Sequence, residues 1–92
     1  MVETEIWRPN DSVVFSPLDG SVALLDTERN VYYTLDGVGP FLWKQLTDGR
    51  SFSELCRAVE LEYAVEPDVI RTDVSQWLGE MAAAGLIVDR HG

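Results

Sequence analysis

The sequence predicts a small α+β domain in which three strands precede three helices, the order βββααα. Two observations carry that expectation. Up to residue 35 the apolar residues come in short runs separated by tight-turn signals, whereas from residue 38 onward they recur at three- and four-residue spacing. The punctuation changes at the same place: turn clusters give way to a Ser-x-x-Glu box, prolines at helix starts and a glycine after the last periodic residue. With 92 residues and 46% hydrophobic content, residues 1–92 suffice for one domain with a core of marginal size.

Residues 1–11 read as irregular, with Pro9 and the Asn10-Asp11 pair as breakers. The runs "SVVFS" and "SVALLD" follow, separated by the hairpin loop "PLDG", where Gly20 is free to take a positive φ. A second turn, "DTERN", ends on Asn30, which suits the left-handed position that closes such a loop. "VYYTL", residues 31–35, is a third strand rich in β-branched and aromatic residues.

Asp36 then suits the N-cap of a first helix, and Pro40 falls in its first turn. Val38, Phe41, Leu42, Gln45 and Leu46 form one helical stripe, closed by Asp48-Gly49. The Asp36-Gly37 pair therefore starts a helix and makes no hairpin. Ser51 and Glu54 form a capping box for a second helix, with Phe52, Leu55, Cys56, Val59 and Tyr63 as its apolar stripe. The third helix has Pro67 near its start, Gly85 after its end, and an inner stripe of Ile70, Val74, Trp77, Leu78 and Met81. "LIVD" after Gly85 allows one more short strand.

Charge and chemistry exclude more than they assign. Sixteen acids against seven bases give a net charge of −9, which repels phosphate backbones and anionic membranes and suits either solubility or a basic partner. His91, the only histidine, reads as a tail residue, and Cys56, the only cysteine, lies on an apolar stripe with no base to activate it. Acidic pairs such as Glu60 with Glu62 read as solvated faces, and Gly37-Val38-Gly39-Pro40 is too short for a phosphate loop. No metal motif, cofactor site, signal peptide or membrane span is recognisable. The expectation is a cytoplasmic protein that is not an enzyme. Three short helices and a terminal strand are also the outline of a winged helix, which makes a small DNA-binding regulator the alternative reading. The third helix offers Arg71 alone against Asp68, Asp73 and Glu80, which argues against nucleic acid.

What remains is an unblunted strand. In a meander, 31–35 is an edge unless a helix covers it, and "VYYTL" has neither the charge nor the proline that usually protects an edge. Either a helix covers it, or a peptide adds to it as a further strand. Trp77, beside Val69, Asp73 and Glu80, is likewise either core or the wall of a site that grips an apolar side chain and a basic neighbour.

Together, "VALLDTERNVYYTLDGVGPFLWKQLTDGRSFSEL" and "VIRTDVSQWLGEMAAAGLI" resemble the PqqD-like proteins, the precursor-peptide recognition elements of ribosomal peptide maturation, over residues 13–88. The resemblance implies a winged-helix-like βββααα domain that takes a leader peptide as an extra strand between the third strand and the third helix. Carried over, the peptide-binding residues are Val31, Tyr32, Tyr33, Thr34 and Leu35 on the strand. On the helix they are Val69, Asp73, Gln76, Trp77 and Glu80. The double tyrosine and the "DTERN" turn look most like the stand-alone leader-binding subunit of lasso-peptide biosynthesis. That subunit serves a leader peptidase and an ATP-dependent macrolactam synthetase. The alternative within the family is the peptide chaperone of pyrroloquinoline quinone biosynthesis, which partners a radical enzyme.

Overall fold

Strands and helices interleave more than the expected order allows. In the computed structural model, which describes residues 5–90, the chain opens with β1 (Ile6–Pro9), β2 (Val13–Leu18), β3 (Ser21–Asp26) and β4 (Val31–Leu35). It continues with α1 (Gly39–Leu46), β5 (Arg50–Ser51), α2 (Phe52–Glu62), α3 (Pro67–Ala83) and β6 (Ile87–Arg90). The fold is a small α+β domain, but it holds two antiparallel sheets, ordered β2-β3-β4 and β5-β1-β6. The segment expected to be irregular thus supplies a central strand. Trp7 sits opposite both Arg50 and Asp89, so β1 forms through partners roughly half and nearly a whole chain away. No local pattern specifies such pairing.

The first sheet follows its turn chemistry closely. Leu18 pairs with Ser21, so the hairpin loop is the two residues Asp19-Gly20, with Gly20 at φ +78°. It is shorter than the four-residue "PLDG" loop expected. Pro17 stays in the strand because β2 is an edge, where a missing N–H breaks no ladder. Asn30 closes the next loop at φ +58°, and its amide donates to the Asp26 carbonyl at 2.7 Å. Asp26 organises that loop from inside: buried to 2% exposure, its Oδ1 accepts from Ser12 Oγ and from the amides of Glu28 and Arg29.

The helices start and stop on the expected residues, with one exception. α1 begins at Gly39 with Val38 in the N-cap position and no side-chain cap. Asp36 contributes only its carbonyl, to the Gly39 amide at 3.0 Å, because the left-handed turn at Gly37 delays the helix beyond its carboxylate. The Ser51–Glu54 capping box forms in both directions. At the end of α3, Gly85 at φ +75° donates to Ala82 and Leu86 donates to Met81, the paired reverse bonds that satisfy orphan carbonyls.

The core joins the inner sheet face to the three helices through Leu24, Leu42, Leu46, Leu55 and Leu78. Two expectations shift here. Trp43, outside the predicted stripe of α1, is buried to 1%, while Val38 on that stripe is 40% exposed. Tyr63 caps α2 and is also 40% exposed. A helix packed between a sheet and two helices buries more than one stripe, and residues at its ends escape.

Candidate functional site

β4 lies open. Its only paired strand among the described residues is β3, with Tyr33 opposite Leu24 and Thr34 opposite Ala23. Tyr33 and Leu35 turn inward and pack against the core, whereas Val31, Tyr32 and Thr34 are exposed. Tyr32 keeps 68% of its surface in solvent. Among the described residues its outer side has no strand partner, which leaves that row of amides and carbonyls outside the sheet ladder.

One end of β4 leads to a groove. Val38, three residues past the strand, begins a groove of about 410 Å³ walled by all three helices. Its floor is apolar, with Leu42 from α1, Val59 from α2, and Ile70 and Val74 from α3. Trp77 is half-buried in the wall, and Asp73, Gln76 and Glu80 complete the α3 side. Gln76 Nε2 donates to Glu80 Oε1 at 3.1 Å, which orders that rim, and no basic side chain lines the groove. Four residues singled out on α3 therefore lie together. Val69, 47% exposed, lies outside the lining, and so do all five strand residues Val31–Leu35. Tyr63 and Val65 line it and were not anticipated as site residues. Their apolar character in the link before Pro67 was the available signal.

The other end of β4 is clasped. Arg29, two residues before the strand, donates through Nη1 to the Ala84 carbonyl at 2.8 Å. Asn10 reaches the same corner, its Nδ2 donating to the Gly85 carbonyl at 3.0 Å. A Cβ on Gly85 would meet Arg29 Nη2 at 2.7 Å, so the guanidinium lies directly on the glycine. The turn before β4 is thus tied to the C-terminus of α3.

Cys56 is buried among the α2 core residues. His91 lies outside the described residues. Among the described residues, no three His, Cys, Asp or Glu side chains group to hold a metal ion, and no helix is long and apolar enough to cross a membrane.

The open edge of β4 and the acid-rimmed, apolar three-helix groove are the two surface features that the elements after β3 build. The family model for coenzyme PQQ synthesis protein D (PqqD) matches residues 21–87, and the chain belongs to that family. Among solved structures it is similar to TbiB1 in complex with the TbiA(beta) leader peptide. That likeness has 28% identity and a TM-score of 0.84, covering 92% of this chain and 99% of TbiB1. It shares its fold with lasso peptide synthetase B1 complexed with the leader peptide, at 21% identity and a TM-score of 0.79, over 89% of this chain and 96% of that one. No curated protein matches significantly.

Proposed function

We propose that this chain is a non-catalytic adaptor that binds the leader region of a ribosomally made precursor peptide by strand addition to β4. It then presents the precursor to the leader peptidase and macrolactam synthetase of lasso-peptide maturation in the cytoplasm. The observation that carries the reading is the open β4 edge beside the three-helix groove, in a chain similar to a protein solved with a leader peptide. The lasso assignment draws on the Tyr32-Tyr33 pair and the 26–30 turn, together with the fold shared with lasso peptide synthetase B1. The architecture reads as winged-helix-like: α1, β5, α2, α3 and β6 run in order, and β1 supplies the third strand in place of a wing hairpin.

Binding works through preformed geometry. The leader's backbone fills the outer hydrogen-bond row of β4, while alternate side chains point toward the groove. An apolar leader side chain is desolvated on Leu42, Val74 and Trp77, and a basic neighbour meets Asp73 or Glu80. The clasped strand is already ordered, so the ordering cost falls on the peptide alone. No step requires a nucleophile or a base from this chain.

Amide exchange with and without the TbiA(beta) leader as probe tests this. Strand addition predicts gained protection at every second amide from Val31 to Leu35, since the other amides already pair with β3. The amides of α3 change little, because their bonds are internal to the helix. Protection confined to α3, or salt-sensitive binding to a DNA duplex with none to the leader, sinks the proposal.

A further inference from the structure

We propose that a second groove, between β2 and α1, docks a different protein that inserts an apolar side chain flanked by carboxylates. The inference rests on the adaptor reading in one respect: an adaptor needs a surface for its enzyme as well as one for its peptide. The groove holds about 660 Å³, with Phe15, Pro17 and Leu18 of β2 on one side and Phe41, Trp43 and Lys44 of α1 on the other. Phe15 and Pro17 pair with Leu24 and Val22, so they lie on the sheet face that packs on the core. α1 does not close over them. Phe15 is 46% exposed, resting edge-to-face on Trp43 with centroids 5.7 Å apart. Trp43 Nε1 is buried and has no acceptor among the described residues, so this wall also holds a donor the chain leaves unsatisfied.

Charge identifies the occupant. On a chain with sixteen acids and seven bases, the one charged residue lining this groove is Lys44, the sequence's single lysine. Asp19, between the lining residues Leu18 and Gly20, and Asp48, after Thr47, do not themselves line the groove. The three-helix groove is the reverse, lined by Asp73 and Glu80 and by no cation. Tyr63 lines both grooves, and its ring meets Phe41 edge-to-face at 5.6 Å, so this pair forms the ridge between them. Adjoining grooves of opposite sign sort two ligands: a basic peptide is drawn to one and repelled by the other.

The mode of contact follows from β2. Phe15 and Leu18 line the groove and are exposed, on a strand without a single charge, which is apolar surface of the kind that marks an interface. Pro17 removes a backbone donor, so the contact is made by side chains and not by strand addition. A second copy is a poor occupant. Each copy carries −9, and one overhanging strand is small beside the roughly 800 Å² per partner of a standard interface.

The test is amide chemical-shift mapping on the ¹⁵N-labelled full chain, with two blocked tripeptides as probes: Ac-Glu-Phe-Glu-amide and Ac-Lys-Phe-Lys-amide. The acidic probe is expected to shift Phe15, Leu18, Phe41, Lys44 and Thr47, saturating in the millimolar range, while the basic probe leaves them unmoved. Lys44→Glu, an exposed change that keeps the spectrum dispersed, should reverse the preference by about tenfold. The TbiA(beta) leader, titrated separately, should shift β4 and the three-helix groove and leave the acidic probe's affinity unchanged. Shifts indifferent to probe charge or to Lys44→Glu overturn the inference. So do concentration-dependent shifts without any probe, which indicate a second copy, and leader-induced shifts at Phe15 and Lys44, which indicate one continuous peptide site. A leader that binds nowhere overturns the adaptor reading instead, and the tripeptide result stands by itself.

Discussion

Arg29 Nη1 donates to the Ala84 carbonyl oxygen at 2.8 Å, tying the turn before β4 to the last turn of α3. The same guanidinium approaches Asp26 Oδ2 at 3.8 Å, so a buried carboxylate and a helix end share one cation. The Arg29 side chain is 58% exposed, so the ion pair adds little, and the aimed hydrogen bond is the main contribution.

Arg29→Ala should therefore lower stability by about 1 kcal/mol, a loss of roughly 4–8 °C in Tm for a domain of this size. Leader affinity should fall several-fold as well, because β4 loses its fixed distance from α3. Thermal melts and leader titrations on the same sample check both.

Gly85→Ala should cost more, since a left-handed φ of +75° penalises any Cβ by about 1–2 kcal/mol and the added methyl also displaces Arg29. The double variant should lose less than the sum of the singles, because either change breaks the same contact. Strict additivity would separate the glycine from the clasp.

Trp77→Ala should weaken leader binding by about 2 kcal/mol, the range of an anchoring aromatic at an interface centre. Its fluorescence should respond to the leader in a variant where Trp7 and Trp43 are replaced by Phe. A destabilised Trp77→Ala protein with unchanged leader affinity would assign the side chain to the core alone.

Replacing Asp73 with Asn and Glu80 with Gln should reduce affinity several-fold and flatten its salt dependence, since exposed pairs contribute about 0–1 kcal/mol each. Fluorescence anisotropy across a salt series reads both quantities. An unaltered slope would make these carboxylates solvated neighbours of the peptide.

Ser51→Ala supplies the contrast. It removes the arm in which Ser51 Oγ accepts from the Glu54 amide, keeps the backbone amide of residue 51 bonded to Glu54 Oε1, and should cost about 1 kcal/mol of stability, with leader affinity unchanged because α2 caps away from β4. Denaturant melts paired with titration distinguish it from the clasp variants.

The first sheet and the helix ends were legible because their causes are local. Asp19-Gly20, Asn30, Ser51 with Glu54, and Gly85 each fix a backbone angle or satisfy an orphan group within a few residues of themselves. The lack of charge or proline in Val31–Leu35 marked an unprotected edge for the same reason. Asp36 misled because one left-handed glycine moved the helix start past its reach.

By itself, then, the sequence determined the meander, the three helices and the absence of any device to blunt β4. Tertiary structure alone decided that β1 completes a second sheet, that Trp43 is core while Phe15 overhangs it, and that Arg29 meets Ala84 across 55 residues. The same holds for the grooves, whose walls come from elements far apart in the chain. A turn is specified by the dihedral preferences of the residues in it, whereas a groove exists only once separate elements have packed, and no periodicity along the chain encodes the space they leave between them.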